Sequence, residues 1–151
     1  VTRDEFEGMI QKGALNEYAS YVGNYYGTPR DYVSEQMESG KDVILEIEIQ
    51  GALKVKERFP DALLLFVTPP SAAELENRLR GRGTESDEVV CSRLKRAVEE
   101  SEYMENYDYI LINDNLDTCV REMHELIQAQ HLRTGGSREW INRIRQELRC
   151  L

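Results

Sequence analysis

The chain has 151 residues, of which 40% are apolar, and its 28 acidic and 19 basic residues give a formal net charge of -9. This length and apolar content suffice for one folded domain with a core, whereas the acidic balance argues against nucleic acid or an anionic membrane as a partner. No run approaches the roughly 18 apolar residues of a membrane span. We therefore expect a globular, cytoplasmic protein.

The first predicted elements are a helix, two strands and a second helix. The capping-box pattern T-x-x-E at residues 2–5 predicts a helix over about residues 3–12. Residues 14–28 are rich in Tyr and Gly in approximate alternation, which predicts two short antiparallel strands. Asp31 is predicted to cap the next helix, which ends near Ser39.

The stretch DVILEIEIQG at residues 42–51 is the centre of the predicted fold. Its apolar density indicates a buried strand of a parallel sheet, followed by a helix over residues 52–59. Glu46 and Glu48 lie two residues apart and so point to one side, at the sheet edge where ligands of α/β proteins bind. In phosphate-transferring proteins an acidic residue at this position binds Mg²⁺ or the water molecules coordinated to it. The alternative is an edge strand whose glutamates face solvent.

Two further apolar runs, at residues 62–67 and 109–112, predict buried strands. Ser71 and Glu74 form a second capping-box pattern and predict a helix, and apolar spacing predicts a long helix whose inner face is formed by Val89, Val90, Leu94, Ala97, Val98 and Ser101. A final helix of this region is predicted to end near His131. Strands that are each followed by a helix predict an α/β layered fold.

After a short linker at residues 134–137, apolar residues recur at helical spacing and predict an amphipathic tail helix; they are Trp140, Ile141, Ile144 and Leu148. This helix either docks on its own domain or binds a partner. The three cysteines are widely spaced, without a CxxC pair and with only two histidines to assist them. We expect reduced thiols and no metal site formed by them.

Basic residues are concentrated around two glycines, Gly81 and Gly83, in this otherwise acidic chain. They are Arg58, Arg78, Arg80, Arg82, Arg93 and Arg96. Guanidinium groups bind phosphate oxygens through paired hydrogen bonds, so the cluster indicates a local anion site, and the flanking glycines permit a segment that closes over a ligand. The alternative is a solvated helix face.

Five motifs occur in a characteristic order and spacing: GNYYGTP at 23–29, GKDVILEIEIQGA at 40–52, PPS at 69–71, RLRGRGTES at 78–86 and YDYILIND at 107–114. Through them, residues 1–132 resemble the guanylate kinase family. The resemblance implies a P-loop nucleoside monophosphate kinase fold, an α/β fold of three layers with a parallel sheet. It also implies transfer of the γ-phosphoryl group of ATP to GMP with Mg²⁺ accompanying the ATP, and leaves an oligomer possible.

The resemblance implies roles for individual residues on the GMP side. Glu17 would bind the edge of guanine, Thr28 would also contact guanine, and Tyr26 would bind the GMP phosphate. Glu46 and Glu48 occupy two acidic positions of the GMP site, where Glu48 is one methylene longer than the aspartate of many members.

On the phosphate and ATP side, Arg78, Arg82 and Arg93 match arginines that bind phosphates as a lid closes. Asn113 and Asp114 match positions that line the adenine side of the ATP site. The implied division is residues 1–39 as part of a GMP-binding subdomain, residues 40–133 as the core with a lid around 78–93 and a closing helix at 116–132, and residues 134–151 as linker and tail helix.

One family motif is missing from the sequence. No G-x-x-x-x-G-K-[S/T] motif, which binds the ATP phosphates, occurs among the 151 residues. We expect that the chain is truncated at its amino terminus and is inactive alone. The alternative function is a catalytically dead guanylate-kinase-like module that binds phosphopeptides.

Overall fold

The structure is a computed structural model that describes residues 1–21, 24–81 and 86–151. Its described residues form two compact units, Val1–Ala62 and Leu63–Leu151, each of which combines helices with a two-stranded sheet. The predicted mixture of helices and strands is confirmed in both units.

The first unit opens with helix α1, Arg3–Gln11, which carries the predicted capping box. The Thr2 amide donates to Glu5 Oε2 at 2.7 Å, and the Glu5 amide donates to Thr2 Oγ1 at 3.3 Å. Gly13 ends the segment with a φ of 62°, a left-handed conformation that favours glycine.

Strands β1, Leu15–Tyr21, and β2, Asn24–Pro29, form the predicted antiparallel hairpin. The pairing register shifts between Leu15 and Glu17, where an irregularity or bulge interrupts the ladder. Tyr25 of β2 stacks on Phe6 of α1, with ring centroids 5.2 Å apart, which anchors α1 to the hairpin.

Helix α2, Arg30–Glu38, begins one residue before the predicted cap. Pro29 occupies the cap position and no side chain caps the helix, so the prediction for Asp31 is wrong: it lies in the first turn. Proline suits this place because its fixed φ is compatible with helix entry, and an acid in the first turn still complements the helix dipole.

The predicted central strand is the largest correction. Residues 41–48 form neither strand nor helix, and Ile44 is 67% exposed. A strand exists only where a neighbour completes its hydrogen bonds. In the two sheets of the described residues, β1 pairs with β2, and Leu65–Thr68 pairs with Tyr109–Ile112. The segment keeps the alternation of a strand, with positions 43, 45 and 47 half-buried, while Glu46 and Glu48 are exposed.

Helix α3, Ile49–Arg58, begins three residues before the predicted start and has Glu48 at its cap position. It buries Gly51, Ala52 and Val55, and it packs against β1. Nη1 of Arg58 donates to the carbonyl of Leu15 at 3.4 Å.

In the second unit, strands β3, Leu65–Thr68, and β4, Tyr109–Ile112, pair in parallel. The bounds of β4 match the prediction, whereas β3 begins and ends later than predicted. Only Leu111 of β4 is buried, so the expectation of a fully buried strand is wrong for Tyr109, Ile110 and Ile112. Within the described residues this sheet has two strands, so these side chains have one adjacent strand to pack beside.

The predicted helices of this unit are present as α4, Ala72–Gly81, α5, Asp87–Ser101, and α6, Leu116–His131. Val90 of α5 is 2% exposed, as its predicted inner position requires. Val89 and Val98 are 43% and 66% exposed, so their assignment to the inner face is wrong. The buried stripe of α5 is therefore narrower than its apolar residues suggest.

The linker forms a short 3-10 helix, Thr134–Ser137, and the predicted tail helix is α7, Arg138–Arg149. Trp140 and Leu148 are 56% and 63% exposed, so the apolar stripe of α7 is only partly covered. Across the described part of the chain, every helix is too short or too polar to pass through a bilayer. All three cysteines are free, as expected: Cys119 is buried, and Cys91 and Cys150 are exposed.

Candidate functional site

The candidate site of the first unit contains a buried carboxylate on the β1–β2 hairpin. Glu17 is only 6% exposed, and Oγ1 of Thr28 donates to its Oε1 at 2.7 Å. A buried carboxylate must be hydrogen-bonded to offset the loss of its hydration, and Thr28 supplies one of the donors. The carboxylate keeps capacity for further donors because two oxygens offer about four lone-pair positions.

The strand register brings three of the five predicted GMP residues to one face of the hairpin. Glu17 lies opposite Thr28, and Ala19 lies opposite Tyr26, two residues further along each strand. Side chains two apart share a face, so Tyr26 lies on the face of Glu17 and Thr28. Tyr26 is 56% exposed, which leaves this aromatic surface open beside the buried acid.

The first turn of α3 lies against the same carboxylate. A Cβ atom placed on Gly51 would lie 2.9 Å from Oε2 of Glu17. Glu48, the cap residue of α3, and Glu46 are exposed, and the backbone preceding the helix is extended. The turn carries amide N–H groups that the helix itself does not satisfy, and it presents the positive end of the helix dipole.

A second candidate site, within the second unit, lies at the carboxyl ends of β3 and β4. The amide of Asn113 donates to the carbonyl of Thr68 at 2.8 Å, which joins the two strand ends. Nη1 of Arg78 donates to the carbonyl of Asn113 at 2.7 Å, and Nε donates to Glu74 at 2.6 Å. Thr68, Arg78 and Asn113 border an open cavity of about 170 Å³, which is also lined by Val67, Pro69, Leu75 and Leu79.

The other predicted residues of the second unit are less closely associated. Arg93 and Asp114 are exposed, and Arg82 lies outside the described residues, as do Gly83 and Thr84 of the same motif. A group of three or more side chains able to ligate a metal is absent from the described ranges. The structure thus brings together Arg78 and the backbone of Asn113, and not the full predicted set.

Two ion pairs of Arg80 were not predicted. Arg80 donates to Glu76 at 2.8 Å and to Asp87 at 2.6 Å, linking α4 to α5. The hydrogen bond to Glu76, then that to Asp87, raises the pKa of the Arg80 guanidinium above its ordinary value. The i, i+4 spacing of Glu76 and Arg80 was a signal in the sequence, whereas the approach of Asp87 depends on tertiary structure.

A family model described as guanylate kinase matches residues 1–130 of this chain. The chain belongs to the guanylate kinase family. This confirms the resemblance drawn from the five motifs, and the match leaves α7 outside the family region.

Individual relatives agree with the family match. Over 132 residues the chain is 54% identical to the protein named guanylate kinase of Lactococcus lactis subsp. lactis and 53% identical to that of Oceanobacillus iheyensis. Each match covers 87% of this chain and 64% of the relative. The chain therefore spans just under two thirds of the length of these curated guanylate kinases.

A solved guanylate kinase has a similar fold. The crystal structure of guanylate kinase from Anaplasma phagocytophilum matches with a TM-score of 0.73 and 30% sequence identity, over 89% of this chain and 65% of that chain. This similarity confirms the α/β fold class predicted for the family.

Proposed function

We propose that this chain acts in a guanylate kinase reaction, in which the γ-phosphoryl group of ATP passes to GMP to give GDP and ADP. The observation that carries the proposal is the buried carboxylate of Glu17, held by Thr28 on the face that also bears Tyr26. Both relatives described above are named guanylate kinase, which supports the same reaction.

Glu17 would bind the base. The edge of guanine carries two adjacent N–H donors, at the ring nitrogen and at the amino group, and a carboxylate can accept from both. The hydrogen bond from Thr28 fixes the orientation of the carboxylate before the base arrives, and Thr28 would also contact guanine. Because Glu17 is shielded from water, a base that leaves it unpaired would bind poorly.

Tyr26 would bind the GMP phosphate. Its phenol is a hydrogen-bond donor, and its exposed position leaves it accessible to a ligand on this face. Glu46 and Glu48 would complete the GMP site as the acidic pair before α3, on one side of an extended segment.

Arg78 would act on the transferring phosphate, with Arg82 and Arg93 as further phosphate-binding residues. Guanidinium groups offer several N–H donors for phosphate oxygens, and the bonds to Glu74 and Asn113 fix the direction of the Arg78 side chain. Asn113 and Asp114 would line the adenine. Mg²⁺ would enter with ATP as part of the substrate, coordinated chiefly by phosphate oxygens and water.

The proposed division follows from these roles. Residues 1–39 would serve the GMP site, residues 40–133 would form the core with its lid and closing helix, and residues 134–151 would form the linker and tail. We propose a cytoplasmic location, where both nucleotides are available. Neither nucleic acid nor membrane is needed for this reaction.

Equilibrium titration of the 151-residue chain with GMP, AMP and a phosphoserine peptide tests the proposal. We expect GMP to bind and AMP to bind at least about tenfold more weakly, because adenine offers the carboxylate a different pattern of donors. Binding of the phosphopeptide without binding of GMP would instead favour the alternative binding module.

A further inference from the structure

We propose that Gly51 is a positioning residue for guanine specificity: the missing side chain at this place in α3 leaves the space in which the Glu17 carboxylate is held. This inference rests on the proposed role of Glu17. Gly51, which has no functional group, would then contribute to the preference of the site for guanine over other bases.

The backbone of α3 does not require glycine at this position. Gly51 lies within a regular helix and is not among the described glycines with positive φ, which are Gly13 and Gly40. Alanine is the better helix former, since glycine loses more conformational freedom on folding. A glycine that lowers helix stability in this way indicates a requirement for space.

The space is occupied by one side chain. A Cβ atom on Gly51 would lie 2.9 Å from Oε2, 3.4 Å from Cδ and 3.5 Å from Cγ of Glu17. A separation of 2.9 Å is shorter than a normal carbon–oxygen contact, so either the Glu17 side chain or helix α3 would have to move. The nearest atoms all belong to the Glu17 side chain, whose end is flexible and would move at lower cost than the helix.

Gly27 shows the opposite situation. A Cβ atom there would lie 2.9 Å from the backbone carbonyl oxygen of Glu17 and 2.9 Å from the ring of Phe6. Neither can move cheaply, because one is strand backbone and the other is packed against Tyr25. Substitution of Gly27 should therefore destabilise the fold, whereas substitution of Gly51 should displace a carboxylate and leave the fold intact.

Displacement of the Glu17 carboxylate would affect base recognition. Oε1 is already held by Thr28 at 2.7 Å, so a shift of Oε2 away from α3 cannot occur without disturbing that hydrogen bond. Two donors on the guanine edge need both position and orientation of the carboxylate. Hypoxanthine lacks the amino donor, so a misplaced carboxylate should lose affinity for GMP more than for inosine monophosphate.

The test is titration of GMP and inosine monophosphate into the full 151-residue chain, as wild type, Gly51→Ala and Gly8→Ala. Gly8 is a matched control, because it is also a helical glycine and a Cβ atom there meets nothing within 4 Å. We expect Gly8→Ala to match the wild type. Gly51→Ala should weaken GMP about tenfold or more, the loss expected when one hydrogen bond to a charged group is broken, and inosine monophosphate less.

Two additional cycles separate this role from a general structural one. In a Glu17→Gln background, where the carboxylate is absent, Gly51→Ala should cause little further loss of GMP affinity. In unfolding experiments without nucleotide, Thr28→Val should destabilise the wild type but have a smaller effect in Gly51→Ala. If the two substitutions are additive in stability, Gly51 does not position Glu17 and the inference is overturned.

The remaining outcomes are also decisive. Failure of the wild-type chain to bind GMP would contradict the proposed function, while the unfolding cycle would still decide the role of Gly51. If Gly51→Ala fails to fold, Glu17→Ala should restore folding by removing the side chain that blocks it. A chain that stays unfolded after both changes would contradict the inference.

Discussion

Nη1 of Arg78 donates a 2.7 Å hydrogen bond to the backbone carbonyl of Asn113, which ties helix α4 to the carboxyl end of strand β4. Asn113 in turn donates to the carbonyl of Thr68 at the end of β3. One arginine therefore links a helix to the edge at which both parallel strands end, and ligands of α/β sheets bind at that edge.

Arg78→Ala should lower the free energy of unfolding by about 1–3 kcal/mol, because the Asn113 carbonyl loses a hydrogen bond from a charged donor. Arg80→Ala is the matched control, since Arg80 lies on the same helix but its ion pairs are more exposed. Its loss should cost less than the loss of Arg78, because solvent screens exposed ion pairs. Urea unfolding measures both variants, and equal losses would show that the Asn113 contact adds nothing to stability.

Glu17→Gln should weaken GMP far more than ATP. The substitution removes the negative charge and replaces one acceptor by an NH₂ group that faces the donors of guanine. Nucleotide titrations would be made with a chimaera in which a P-loop segment typical of the guanylate kinase family precedes this chain, so that ATP can bind. Equal loss of affinity for both nucleotides would contradict the assignment of Glu17 to guanine.

Arg82→Ala should act mainly on turnover, a prediction that rests on the sequence because Arg82 lies outside the described residues. A lid arginine meets the transferring phosphoryl group on closure and stabilises the transition state more than either bound substrate. We expect kcat of the same chimaera to fall at least ~100-fold. Arg121→Ala, an exposed arginine of α6, serves as control. A normal kcat with a raised KM would make Arg82 a substrate-binding residue.

The 151-residue chain alone should form no GDP and should unfold at low temperature. Its sequence contains no P-loop motif, and phosphoryl transfer depends on the positioning and charge that this motif supplies. The measurements are a coupled assay of ADP formation and a thermal melt, before and after addition of the P-loop segment. Measurable turnover by the short chain would require another phosphate-binding site.

At acidic pH, helix α1 should unfold before the rest of the first unit. The backbone and side-chain hydrogen bonds from Thr2 lower the pKa of Glu5 below the ordinary glutamate value of 4.5. Because the pKa of Glu5 is lower in the folded state, its carboxylate contributes fully to stability above pH 4.5. This contribution is lost as the pH falls through the pKa of the folded state. The protection factors of α1 amides, which are corrected for the intrinsic pH dependence of exchange, should therefore fall at low pH, and Glu5→Gln should remove that fall. An unchanged profile in Glu5→Gln would contradict the assignment.

Local signals predicted several elements well. The T-x-x-E pattern correctly placed α1, and the apolar run at Tyr109–Ile112 gave the bounds of β4. These predictions succeeded because caps, turns and helical spacing act over a few residues. The register of the β1–β2 hairpin places Glu17, Thr28 and Tyr26 on one face, whereas their roles come from the family resemblance and stay predictions.

Features that depend on distant neighbours were missed. The apolar density of residues 42–49 suggested a buried strand, but a strand also needs a partner, and composition does not supply one. The valines of α5 had the right spacing for an inner face, yet Val98 is exposed because burial depends on what packs against the helix. The approach of Gly51 to Glu17 joins residues 34 positions apart and has no local signal.

The unequal accessibility of the three thiols provides a chemical reporter of motion within the second unit. Cys91 and Cys150 are exposed and should react promptly with a thiol reagent, whereas Cys119 is buried in α6 and can react only when its surroundings open. Replacing the two exposed cysteines by serine would leave one slow site. Its labelling rate would then report how often α6 separates from its packing, without an introduced probe.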